Sequence, residues 1–145
     1  MSAAPESQRI VVGVDGSPEA ATALAYAIDE ARLRGAALHV IYAYAAVPAL
    51  TGWTGEDYYQ KVEAEAKTAL EAVATTAPST ADLDVQWRCV PGNPAEILIE
   101  ESRHAHILVV GSRGLGGFMG LVMGSVSSQC VHHSRCPVLV VREDH

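Results

Sequence analysis

The sequence predicts an α/β fold: one doubly wound domain with a five-stranded parallel sheet and helices on both faces. Two observations predict it. Short apolar runs rich in β-branched residues (RIVVGV, HILVV, PVLVV) alternate with longer segments of helical spacing, the pattern of parallel strands buried on both faces. The chain has 145 residues, 49% hydrophobic and 19% charged, which suits a single sizeable core. No internal repeat, low-complexity tract or linker divides it. Residues 1–8 read as a flexible N-terminus and 9–145 as the domain.

Arg9–Val14 is the first strand, and Asp15-Gly16 ends it. Ser17-Pro18 then starts a helix, with a capping hydroxyl followed by proline at the first helical position. Ala20, Leu24, Ala27, Ile28 and Ala31 keep helical spacing up to Gly35, a glycine suited to a helix C-terminus. Ala37–Ala43 is the second strand. A loop, Tyr44–Gly55, carries Pro48, Gly52 and Trp53. Thr54 and Asp57 form a capping box for a helix reaching about Thr76. After the link APSTAD, Leu83–Val90 is the third strand. Pro91-Gly92 makes a turn, Asn93 caps, Pro94 opens the next helix and Glu96 completes a second box, the helix reaching about His104. His106–Val110 is the fourth strand, Ser125–His133 a helix and Pro137–Val141 the fifth strand, at a sheet edge.

Composition excludes several classes of function. The net charge is −7 and the only lysines are Lys61 and Lys67, which argues against a nucleic-acid binder or adhesion to anionic membranes. The opening MSAAPESQ lacks the pattern of a signal peptide, and no apolar run is long enough to span a bilayer. Cys89, Cys130 and Cys136 form no close pair, so a reduced, cytoplasmic protein is expected. Cys130, His132, His133 and Cys136 lie near one another but lack the paired spacings of structural zinc, so no metal site is assigned to them. His39, within the second strand, is expected to be a satisfied, partly buried histidine.

In open parallel sheets, ligands bind beyond the carboxyl ends of the strands where the winding reverses, which points to the loops after strands one and four. The second of these, GSRGLGGFMGLVMGSV, carries six glycines between Gly111 and Gly124. Glycine costs roughly 0.5–1 kcal/mol relative to alanine in regular structure, so the run needs a reason. It contains no GxxxxGK[ST], and Met119 stands where GxGxxG requires its third glycine. Gly111, Gly114, Gly124 and Ser125 instead fit G-x2-G-x9-G-[ST] at every fixed position. Gly114 can take positive φ and orient successive amides as an anion nest, while Gly124-Ser125 opens a helix whose free N–H groups favour phosphate. The bare Gly111 would let a ribose or α-phosphate approach the backbone.

With VGVDGS, HVIYA, VPGNPAEI, VVGSRG and CPVLVVR in the same order, the chain resembles the universal stress protein family, specifically its ATP-binding branch. The resemblance implies strand order 3-2-1-4-5 and bound ATP, with Mg²⁺ or Mn²⁺ held through the phosphates because the loop has no lysine. By resemblance, Asp15 lies at the nucleoside end and the Val40 backbone reads the adenine edge. Gly13 and Val14 form adjoining wall, Ser112 and Arg113 begin the phosphate loop, and Val126 follows Ser125 into the helix. The family also implies a homodimer through Pro137–Val141. No carboxylate is expected to act as a catalytic base, so the chain reads as a nucleotide-dependent regulatory factor with an unidentified protein partner. The alternatives are a slow ATPase or adenylate-handling enzyme, a cyclic AMP or AMP binder, and a nucleotide-free interaction module.

Overall fold

The computed structural model describes residues 8–45, 56–113 and 123–142. Elements β1 (Ile10–Val14), α1 (Pro18–Arg34), β2 (Leu38–Tyr44), α2 (Glu56–Thr76), β3 (Val85–Pro91), α3 (Pro94–Ser102), β4 (Ile107–Gly111), α4 (Ser125–His133) and β5 (Val138–Val141) follow in that order. The strands form one parallel sheet of order β3-β2-β1-β4-β5, as expected from the sequence. The Thr54 capping box, Trp53, Gly114 and the first seven residues lie outside the described residues.

Alternation along the strands sends neighbouring side chains to opposite faces. Ile10, Val12 and Val14 of β1 pack with Ala20, Leu24, Ala27 and Ile28 of α1 and Leu70 of α2. Val11, Ile41, Leu108 and Val110 pack on the other face with Leu98 of α3 and Cys130 of α4. The inward face of α1 is rich in alanine, which lets its backbone lie close to the sheet. That closeness matters at Gly111.

Local capping works as the sequence predicts. The Ser17 side chain accepts from Ala20 N at 3.2 Å, and Gly35 takes φ 62° at the end of α1. Asn93 Oδ1 accepts from Glu96 N at 3.0 Å at the start of α3. That helix stops at Ser102 rather than near His104, because Arg103 and His104 turn back on Glu100 and Glu101 with shorter-range backbone bonds. The Ser102 hydroxyl accepts from Arg135 N at 2.9 Å, fixing the end of α3 to the approach of β5.

His39 differs from expectation. It is 7% exposed, and its Nδ1 has no hydrogen-bond partner among the described residues. Burial first, then the nearby Arg9 and Arg88 charges, pushes its pKa below the ordinary 6.5, so the ring is held neutral.

Candidate nucleotide site at the carboxyl edge of the sheet

Strands β1 and β4 lie side by side at the centre of the sheet, with Ile10 level with Ile107 and Val12 with Val109. Continued by one more pleat, that register sets Val14 beside Gly111, where the chain leaves the sheet in two directions. This is the switch point at which doubly wound folds bind ligands.

After β1 the chain turns at once into α1. Asp15 Oδ1 accepts from Ser17 N at 2.9 Å, and Gly16 adopts φ 85°, a left-handed conformation that favours glycine. The Gly16 turn borders a cleft of about 90 Å³, lined by Val14, Ala20, Leu24, Val73 and Ala77 among others. The cleft lies between α1 and α2, and its lining among the described residues comes from the β1–α1 turn, α1 and the end of α2.

After β4 the contacts converge on Ser112, which is 2% exposed. Its amide donates to Val141 O at 2.8 Å. Its carbonyl accepts from Gly124 N at 2.5 Å and from the Ser127 hydroxyl at 2.7 Å. One residue therefore holds the end of β5 and the start of α4, and the two ends of the glycine run meet there.

The Ser112 hydroxyl donates to Glu19 Oε2 at 2.5 Å, and the Arg113 amide donates to the same oxygen at 2.6 Å. Arg113 Nε and Nη2 donate to Glu19 Oε1 at 3.2 and 3.0 Å. The Glu19 side chain is 7% exposed. Burial alone would push its carboxyl up; hydrogen bonds from Ser112 and Arg113, and the Arg113 charge, outweigh that and hold it below its ordinary 4.5.

Gly111 also makes room for α1. A Cβ there would stand 3.0–3.2 Å from the backbone of Glu19 and Ala20, so α1 itself occupies that side of the residue. At Gly13 a Cβ would meet Leu98 Cδ1 at 2.6 Å, on the α3 face.

At α4 the N-cap is Gly124, in extended conformation with φ −80° and ψ 174° and without a capping side chain. The first intrahelical bond is Ser128 N to Gly124 O at 3.0 Å. The amides of Ser125, Val126 and Ser127 thus precede the first acceptor in the helix. The Ser125 side chain is exposed and accepts from Gln129 Nε2 at 3.0 Å, while Val126 packs into the α3–α4 side of the core.

The structure thus places Val14, Asp15, Gly111, Ser112, Arg113, Gly124 and Ser125 at one edge. It does not bring Val40 there. Val40 is fully buried in mid-strand, opposite Trp87 on one side and Val12 on the other. The bonds Leu38 N to Asp84 O and Gly92 N to Tyr44 O show that even-numbered residues of β2 turn their peptide groups to β3. Those of Val40 are spent in that ladder, and Tyr42 is the residue level with Val14. Cys130 is fully buried whereas His132 and His133 are exposed, so these groups do not converge. Glu19 and Ser127 were missed in the sequence. An acidic residue in a first helical turn reads only as a complement to the helix dipole.

The family model described as "Universal stress protein family" matches residues 6–142. The chain belongs to the universal stress protein family. Universal stress protein Rv2005c of Mycobacterium tuberculosis is 37% identical over 140 residues, covering 96% of this chain and 47% of that protein. The chain therefore spans about half the length of the mycobacterial relatives it matches. UspA from Lactobacillus plantarum has the same fold, with TM-score 0.76, 24% identity and coverage of 97% of this chain and 100% of that one. A universal stress protein crystallised in complex with cAMP is 30% identical, with TM-score 0.59 and coverage of 92% of this chain and 95% of that one. Among the described residues, no helix is long and apolar enough to cross a membrane.

Proposed function

We propose that this chain binds an adenine nucleotide between the ends of β1 and β4 and acts as a nucleotide-dependent regulatory or stress-response factor. One observation carries the reading: the Ser112–Gly124 bond joins the ends of the glycine run beside a helix start that has no capping side chain. Three early amides and the positive end of α4 suit a phosphate there. The G-x2-G-x9-G-[ST] spacing favours ATP, whose terminal phosphates would reach Ser125. Asp15 and the end of β2 would flank the nucleoside, with Val14 and Gly13 behind them.

The donors fit a ligand-borne cation better than a resident one. No group of three or more His, Cys, Asp or Glu side chains could hold a metal among the described residues. A Mg²⁺ or Mn²⁺ ion would be held by the phosphates, with the Ser125 hydroxyl as its protein contact, and would neutralise charge that no lysine offsets. Asp15 accepts an amide of its own turn, and we assign no catalytic base, so any hydrolysis is slow. Strand β5 pairs with β4 at the sheet edge and leaves Leu139 37% exposed, which supports a homodimer through Pro137–Val141, while three free cysteines suit a cytoplasmic setting.

The relative crystallised with cAMP favours a second reading, a preference for cyclic AMP or AMP. Isothermal titration with ATP, ADP, AMP and cAMP separates the two. Gly114→Val should abolish ATP binding, and Ser125→Ala should weaken ATP roughly tenfold while sparing AMP. Unchanged ATP affinity in Gly114→Val refutes the loop mechanism. Tighter binding of cAMP than of Mg·ATP favours the second reading.

A further inference from the structure

The donors at the base of the glycine loop are already occupied by an anion, and that anion is part of the protein. Glu19 reaches across from α1 to take the Ser112 hydroxyl, the Arg113 amide and two nitrogens of the Arg113 guanidinium. The side chain is 7% exposed and rises from the first turn of α1, where the helix dipole favours negative charge. Four charge-assisted bonds in a nearly closed pocket are expensive to exchange. An incoming phosphate chain therefore meets the start of α4 with a fixed carboxylate as its neighbour across Ser112.

We propose that Glu19 is a specificity-determining residue whose fixed charge makes polyphosphate binding conditional on a divalent cation, while a singly charged phosphodiester binds without one. The inference rests on the adenine-nucleotide reading and names the charge class that the same site accepts. Glu19 cancels the charge of the Arg113 guanidinium that it holds at 3.0 Å, so the base of the loop offers a triphosphate no net positive charge, a deficit that costs more as water is excluded. Magnesium bound to the phosphates cancels most of it. Cyclic AMP carries a single charge and needs little compensation. Arg113, a cation within the glycine run, is thereby spent on Glu19, and Glu19→Gln would leave its charge to the phosphates.

The test is isothermal titration of the full chain with ATP and with cAMP, each in magnesium and in EDTA. Wild type should lose about tenfold or more in ATP affinity when magnesium is removed, with cAMP unchanged. Glu19→Gln keeps an acceptor for Ser112 and Arg113 but not the charge. It should reduce the magnesium effect on ATP to about threefold or less, again without altering cAMP. Glu19→Asp retains the charge and should retain the magnesium effect. A magnesium effect in Glu19→Gln equal to that of wild type overturns the proposal, as does an equal change in both nucleotides, which marks a merely structural role. If circular dichroism shows Glu19→Gln to be unfolded, Glu19→Asp decides: loss of the magnesium effect there overturns the proposal. Binding of neither nucleotide by folded wild type would instead sink the adenine-nucleotide reading, and this inference with it.

Discussion

Two helices begin at the same edge of the sheet, and their starts are built in opposite ways. At α1, Ser17 caps the amide of Ala20, Glu19 is buried against Ser112 and Arg113, and Gly111 lies against the helix backbone. At α4, the cap is a glycine, the first-turn Ser125 is exposed, and the amides of the first turn have no side chain from Gly124 to receive them. Both starts carry the positive end of a helix dipole. Among the described residues, side chains fill that end only at α1. The difference separates a start that holds the fold together from the start we propose for a ligand, although glycines mark both.

The largest expected effect comes from breaking the closed start. Gly111→Ala should destabilise the fold by about 2–3 kcal/mol, because the new methyl meets main-chain atoms of α1 that cannot rotate away. Gly13→Ala is the control near the other exit of the same side-by-side pair of strands. Its methyl meets the tip of Leu98, a side chain that can change rotamer, so about 1 kcal/mol is expected. Urea or thermal denaturation measures both. Equal losses would mean that α1 yields as easily as a leucine side chain, and that the closed start is not rigid.

The next effect sharpens the contrast by exchanging the caps. Gly124 has the extended conformation that any N-cap residue adopts. Gly124→Asp would place a carboxylate on the first-turn amides of α4, so nucleotide affinity should fall about tenfold while stability stays level or rises slightly. Ser17→Ala should do the reverse, costing about 1 kcal/mol of stability with little direct effect on binding. Denaturation and titration on the same two variants check the pair. A Gly124→Asp protein that binds nucleotide normally would show that phosphate does not use α4.

How much of this was legible in the sequence follows from the range of the contacts. Ser17, Gly35 and Asn93 act within a few residues of themselves, and their caps could be read directly. The alternation of strand and helix fixed the layers, and the family resemblance supplied the strand order. Glu19 meets Arg113 at a separation of 94 residues, and no local pattern announces that pairing. Gly111 reads as space for a ligand because a missing side chain does not say which neighbour uses the space. The segment ALHVIYA already puts Val40 in mid-strand, but it could not show that the pairing of β2 with β3 runs on to Tyr44 and takes up the Val40 peptide groups. Strand ends depend on the neighbouring strands, and only register settles them.

The smallest effect at neutral pH, and the one most specific to the closed start, is its response to acid. The Glu19 carboxyl is held below its ordinary 4.5 by Ser112 and Arg113 against the opposing effect of burial. A group with a depressed folded pKa contributes stability that is fully present above the unfolded value and is lost as pH falls through the folded one. The contribution of Glu19 should therefore be constant at neutral pH and disappear as the solution is taken below about pH 4.5. Glu19→Gln removes the titrating group, so the difference in melting temperature between wild type and variant should shrink steadily over that acid range. The open start at α4 has no acidic residue in its first turn, so Ser125→Ala should follow the wild-type acid limb in parallel. A wild-type-minus-Glu19→Gln difference that does not change with pH would mean that the Glu19 contacts hold the loop by shape alone, not by charge.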